Sequence, residues 1–268
     1  MPSKLDEIVE NKRHEVAERK RVSSVDSLVP LAQAGDGRFL AALQEKGPNL
    51  ITEIKPKSPS AGVLRAEVSL EQILAAYNKY AAAISVLTDK KYFDGSLELL
   101  AEVAAKSSLP TLCKDFIIDP LQCYEARIAR AQAVLLIVKI LDDASLKTLY
   151  DTVQSLGMTA VVEVQTEEEM RRARDINAQC VLINNRNLST FEIDLATTER
   201  LVPFAPAKAV VISASGIQTR HDIERILPFC SNFLIGSSLM QADDIGAKLG
   251  ELLTPESQFA QSAREPKA

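Results

Sequence analysis

The sequence predicts an α/β protein, a (β/α)8 TIM barrel with an N-terminal helical extension. Three observations lead there. From Asn49 onward, eight short apolar runs of strand length alternate with eight segments of helical periodicity. Four of those runs finish in charged or amide residues: LITEIK at Glu53 and Lys55, LPTLCK at Lys114, TAVVEV at Glu163 and CVLIN at Asn184. The length of 268 residues suits one barrel of about 250 residues with a short extension. Buried strands that end in Glu or Lys need those ends to gather somewhere polar, because an isolated buried charge is expensive. Parallel strands bring their C-terminal ends to one rim, so Glu53, Lys55, Lys114, Glu163 and Asn184 are expected to share one pocket at a barrel mouth.

Each element has its own signal. Residues 3–21 and 37–46 read as helices that precede the barrel and lie near its mouth, the first with Leu5, Ile8, Val9 and Val16 near helical spacing. Strands are expected near 49–55, 83–88, 110–114, 133–138, 159–164, 180–184, 209–213 and 232–236. Helices are expected near 69–80, 96–106, 120–131, 143–156, 167–176, 194–202, 219–227 and 243–253. Strand–helix–strand repeats imply parallel pairing through right-handed crossovers, and eight units allow closure. Ser69 with Gln72 and Thr166 with Glu169 have capping-box spacing. Asp119-Pro120 places a capping carboxylate before a proline at the first helical position. The expected organisation is a single domain over 1–268: an extension over 1–48, the barrel over 49–254, and a frayed tail over 255–268.

Composition narrows the function. With 46% hydrophobic and 25% charged residues, the chain has the make-up of a soluble globular protein. A formal net charge of -5 argues against a general nucleic-acid surface, and no apolar run is long enough to span a bilayer. The charged N-terminus has no signal-peptide core, so a cytoplasmic protein is expected. Cys113, Cys123, Cys180 and Cys230 have no CxxC spacing and read as buried, reduced thiols. His14 and His221 are the only histidines, both in surface-like contexts. Acid–base work near neutral pH therefore falls mainly to Glu and Lys with environment-tuned pKa values.

The chemistry concentrates in three places. Glu53 and Lys55 are two residues apart on a strand and point to one face, where a plain salt bridge and a catalytic pair both fit. After the seventh and eighth strands come ISASGI and FLIGSSLM, with Ser215-Gly216 and Gly236-Ser237 leading into helices. Glycine lets backbone N–H groups approach an anion, and this pair of loops is the usual phosphate site of the architecture. A side chain at Gly236 is accordingly expected to weaken binding more than chemistry. The first βα loop, KPKSPSAGVLR, reads either as a surface loop or as a lid over an anionic substrate. Phe93 and Phe116 follow the second and third strands and suit outer-face packing or an aromatic pocket wall.

The segments EIKPKSPSAG, ISVLTDKKYFDGS, LCKDFIIDPLQCYEAR, VEVQTEEEM, LINNRNLSTFEIDL, ISASGI and FLIGSSLMQADD resemble those of the indole-3-glycerol phosphate synthase family. The similarity runs from the N-terminal helix to about residue 250, and KDFIIDP and INNRNL are its most specific parts. The resemblance implies closure of an indole ring from 1-(2-carboxyphenylamino)-1-deoxyribulose 5-phosphate, with loss of CO2 and water and without metal or organic cofactor. It implies a small phosphorylated substrate, no nucleic-acid or membrane partner, and a monomer. Lys114 resembles the proposed general acid and Lys55 the lysine that pairs with the anthranilate carboxylate, so both stay open as proton donors. Glu163 resembles the carboxylate of the later proton transfer, and Glu53 and Asn184 resemble orienting groups. Ser58, Phe93, Phe116, Arg186 and Ser215 match substrate-binding positions, and Gly216, Gly236 and Ser237 match phosphate-binding ones.

Two departures stand out. The family pattern SESG is SASG here, with Ala214 in place of Glu, and Gln165 replaces a common His after Glu163. An active enzyme is still expected, and Ala214→Glu is expected to raise kcat/KM modestly. Two other readings use the same residues: a Schiff-base aldolase with Lys114 or Lys55 as nucleophile, and a barrel that binds a phosphorylated metabolite without turnover. Some family members carry a fused isomerase domain, for which 268 residues leave no room, so the monofunctional form is expected.

Overall fold

The computed structural model describes residues 3–55, 57–58, 62–63, 69–188 and 190–254, the side chains of 57, 58, 62 and 63 excepted. Eight strands close into a barrel, every neighbour parallel to the next. They are β1 (Asn49–Ile54), β2 (Ala83–Leu87), β3 (Thr111–Lys114), β4 (Ala133–Ile137), β5 (Thr159–Val164), β6 (Cys180–Asn184), β7 (Val210–Ala214) and β8 (Asn232–Ile235). Closure is made by β1, which pairs with β2 on one side and with β8 on the other. All eight lie within a residue or two of the ranges expected from the sequence.

Alternation along each strand sorts the side chains into two cores. Ile51, Leu112, Leu135, Val161, Leu182, Ile212 and Leu234 fill the barrel interior. Val86, Val134, Val162, Val181 and Ile183 face outward against the surrounding helices. A (β/α)8 barrel is thus a packed core, and only its upper rim is free to hold polar groups.

Thirteen α-helical segments are present among the described residues, α1 (Lys4–Val22), α2 (Val25–Leu28), α3 (Arg38–Leu43), α4 (Leu70–Tyr80), α5 (Lys90–Phe93), α6 (Leu97–Lys106), α7 (Pro120–Ile128), α8 (Asp143–Ser155), α9 (Glu167–Asp175), α10 (Ala196–Leu201), α11 (Arg220–Ile226), α12 (Ser237–Gln241) and α13 (Ile245–Leu253). The capping box at Ser69 and Gln72 forms in both directions, and Asp119 caps α7 with Pro120 in its first turn. At α9 only half of the expected box forms. Thr166 accepts from the Glu169 N–H, but the Glu169 carboxylate takes the Gln165 N–H at 2.6 Å.

One expectation about the extension is corrected. Only α1 lies at the mouth, where Lys4, Leu5 and Ile8 line the cavity. The second helix, α3, closes the opposite end: Phe39 and Leu43 join the interior core beside Ala83 and Ala133, the first residues of β2 and β4. Asn49 Nδ2, at the start of β1, donates to the Glu45 carbonyl at 2.9 Å. The cause is an apolar face that needs burial and an open barrel bottom that offers it.

No helix among the described residues is long and apolar enough to cross a membrane. The four cysteines are buried and free, and burial raises the thiol pKa of Cys113 to about 12.

Candidate active site

The mouth holds a cavity of about 590 Å³. Its floor is apolar, made by Leu135, Ile137, Leu234 and Ile235, and its walls carry the polar strand ends. Glu53, one residue short of the end of β1, is 3% exposed. The Lys114 ammonium lies 2.5 Å from Glu53 Oε2, and the Lys55 ammonium lies 3.0 Å from Oε1. Lys55 also donates to Ser237 Oγ at 3.3 Å, which ties β1 to the start of α12 across the rim. Burial alone would lift the Glu53 carboxyl, but the two ammoniums outweigh it and hold the pKa at about 2.

Glu163 has the opposite setting. It is as buried as Glu53, and among the described residues its hydrogen-bond partner is Asn184, whose Nδ2 donates to Oε1 at 3.0 Å. Burial pushes its pKa up, and neither that hydrogen bond nor the Lys114 charge cancels the rise. Two carboxylates in one mouth are thereby driven apart, one fixed as an anion and the other poised to exchange a proton.

Asn184 is oriented in turn. Its Oδ1 accepts from Ser215 Oγ at 2.9 Å and from the Arg186 N–H at 3.0 Å, which leaves Nδ2 to face Glu163. Ser215 has a φ of 68°, in the left-handed region that a non-glycine residue adopts at a cost. A neighbouring network holds it there. Asn185 Nδ2 donates to the Ser215 carbonyl and to Ser213 Oγ, each at 3.0 Å, and Asn185 Oδ1 accepts from Thr198 Oγ1 at 2.8 Å.

The two glycine turns meet at one side of the cavity. Ser238 Oγ donates to the Ile217 carbonyl at 3.1 Å, linking the loop after β7 to the first turn of α12. Gly216 has a φ of 89°, and a Cβ there would lie 2.6 Å from the Ile193 side chain. A Cβ on Gly236 would lie 2.4 Å from Glu53 Oε1. A side chain at Gly236 would thus meet the carboxylate that holds both lysines as well as the turn expected to take the phosphate. Opposite, the rings of Phe93 and Phe116 face each other with centroids 6.2 Å apart, and both line the cavity.

The structure thus brings together Glu53, Lys55, Lys114, Glu163, Asn184, Phe93, Phe116, Arg186, Ser215, Gly216, Gly236 and Ser237 around one cavity. Ser58 has its backbone in a two-residue antiparallel ladder with Gly62. Its side chain, most of the first βα loop and the tail over 255–268 lie outside the described residues. Sequence reasoning placed α1 near the mouth but missed Asn185. It also passed over Lys12, which sits in the same buried helical stripe as Leu5, Ile8, Val9 and Val16. A lysine inside an apolar stripe was the available signal.

Comparison with known proteins agrees with this geometry. The family model described as indole-3-glycerol phosphate synthase matches residues 5–252. An indole-3-glycerol phosphate synthase of Polaromonas naphthalenivorans is 45% identical over 220 residues, covering 80% of this chain and 84% of its own length. One from a Thermoanaerobacter species is 40% identical over 245 residues, covering 90% of this chain and 94% of its own. The tryptophan biosynthesis protein TrpCF of Vibrio cholerae is 40% identical over 256 residues, 96% of this chain. The chain spans about half the length of that relative, 55%. A family match that takes in α1, all eight strands and every polar strand end leaves one assignment: the chain belongs to the indole-3-glycerol phosphate synthase family.

Proposed function

We propose that this protein closes the indole ring of indole-3-glycerol phosphate from 1-(2-carboxyphenylamino)-1-deoxyribulose 5-phosphate, releasing CO2 and water, and that it does so as one barrel unit. The observation that carries the reading is the clamp on Glu53. A single buried carboxylate holds two ammoniums at the centre of a cavity with an aromatic wall on one side and paired glycine turns on the other. The substrate has the matching parts: an anilino carboxylate, a ketone and a phosphate.

In the first step the ring carbon bearing the carboxylate attacks the ketone carbon, and the ketone oxygen takes a proton from Lys114. A general acid placed this way is worth roughly a hundred- to ten-thousand-fold in rate. CO2 then leaves and its bonding pair returns to the ring. Finally the new hydroxyl departs as water with a proton from a lysine, and the adjacent methylene gives its proton to Glu163. The sum consumes one proton, as loss of CO2 from a carboxylate requires. Lys55 meets the substrate carboxylate, and the N–H groups of Gly216, Gly236 and Ser237 meet the phosphate. The apolar floor strengthens each of these interactions by excluding water.

Only proton donors and acceptors are called on. A Schiff-base aldolase needs a lysine free as a neutral nucleophile, whereas both lysines here are engaged by Glu53. Appearance of indole fluorescence on mixing purified protein with the substrate tests the proposal. Imine trapping by borohydride with a sugar phosphate, without indole formation, would replace it with the aldolase.

A further inference from the structure

The helix α1 carries a lysine where a helix of this kind buries apolar side chains. Lys12 is 1% exposed and lies 2.8 Å from Asp89 Oδ2, 2.8 Å from Asp115 Oδ1 and 2.9 Å from Glu15 Oε2. A buried ammonium is costly unless it is fully paired, and this one has three carboxylates. Two of them belong to the loops that build the mouth.

Asp115 stands between Lys114 and Phe116, and its carboxylate is held from three directions. Lys12 and the Phe116 N–H reach Oδ1, the latter at 2.7 Å, and Thr88 Oγ1 reaches Oδ2 at 2.9 Å. Asp89 caps α5 through the Tyr92 N–H at 2.8 Å, and α5 carries Phe93 at its end. Lys12 is therefore the common partner of the two loops that present Phe93, Phe116 and Lys114. Attachment of α1 does not depend on it: Tyr92 Oη donates to Glu7 at 3.2 Å, Lys91 to Asn11 at 2.7 Å, and Arg19 to Glu125 at 2.7 Å.

We infer that Lys12 is a positioning residue of the reaction, fixing the aromatic wall and the Lys114 ammonium relative to each other through Asp89 and Asp115. The inference rests on the proposed ring closure, in which Lys114 must reach the ketone while Phe93 and Phe116 hold the ring. A displacement of about 1 Å in such an arrangement costs up to about a hundredfold in rate.

The test compares wild type, Lys12→Met, and Lys12→Met/Asp89→Asn by steady-state kinetics and thermal melts followed by circular dichroism. Asn at position 89 still caps α5 but removes one of the stranded charges. Lys12→Met is expected to fold, melt at a lower temperature, and lose roughly ten- to a hundredfold in kcat/KM through both a higher KM and a lower kcat. The double variant is expected to regain melting temperature without regaining kcat/KM, which a merely structural role does not produce. Kinetics within twofold of wild type in Lys12→Met, or recovery of kcat/KM together with Tm in the double variant, overturns the inference. If the single variant does not fold, the double variant decides alone by the same twofold criterion. Absence of indole formation by the wild type would strike the proposed reaction, and the role of Lys12 in it would fall with it, whereas an active wild type with an unaffected Lys12→Met variant strikes the role of Lys12 alone.

Discussion

Lys114 Nζ lies 2.5 Å from Glu53 Oε2, while the other oxygen of the same carboxylate lies 3.0 Å from Lys55. Three charges thus form one unit around a buried carboxylate, with an excess of one positive charge, facing a cavity proposed to receive a substrate with two anionic groups. Glu53 serves this unit as an anchor, since a carboxylate held at about 2 exchanges no proton near neutrality.

Lys114→Ala is expected to lower kcat by about a hundred- to ten-thousand-fold. Circular dichroism at room temperature should remain that of the wild type, because Lys55 still neutralises Glu53. A variant that keeps most of the wild-type kcat would hand the acid role to Lys55.

The acidic limb of the pH profile should report Glu163. Its raised pKa means that activity needing the carboxylate is lost as pH falls through a value above the ordinary 4.5. Asn184→Ala removes the hydrogen bond that lowers this pKa, so the limb should move to higher pH while the overall rate drops. A limb that stays in place in the variant assigns it to another group.

Glu53 makes the opposite contribution to stability. Its folded pKa lies below the ordinary value, so the stabilisation it brings is present above pH about 4.5 and is lost as pH falls towards 2. The difference in Tm between wild type and Glu53→Gln should therefore be largest near neutrality and shrink through that window. A constant difference from pH 7 to pH 3 would contradict the pairing.

Gly236→Ala should lower kcat as well as raise KM, since the new Cβ would meet Glu53 Oε1 at 2.4 Å and the lysines prevent the carboxylate from turning away freely. Steady-state kinetics with an unchanged kcat would mean that Glu53 yields without consequence.

Ala214 is buried at the end of β7, with Asn184 and Leu234 as its neighbours in register. Ala214→Glu is expected to lower Tm, because a carboxylate enters an apolar layer, and to raise kcat/KM modestly, because the Glu53 unit carries excess positive charge. A fall in kcat/KM would show that the cost of burial decides.

What the sequence determined by itself is what repeats locally. A strand buried on both faces reads as a short continuous apolar run and a helix follows a 3.6-residue period, so eight strands and their helices were legible, and so were the polar ends at Glu53, Lys55, Lys114, Glu163 and Asn184. Beyond the local Glu53–Lys55 pair, the partners of those ends were not, because they come from residues far apart in the chain. Glu53 and Glu163 are the same residue type at the ends of similar strands, and only the barrel gives one a second ammonium, from Lys114, and the other an amide. The same holds for Lys12, whose helical stripe was visible but two of whose three carboxylates lie about eighty and a hundred residues away on two separate loops. The descent of α3 to the far end of the barrel was likewise decided in three dimensions, since an apolar helix face specifies that it will be buried and leaves open against which end of the core.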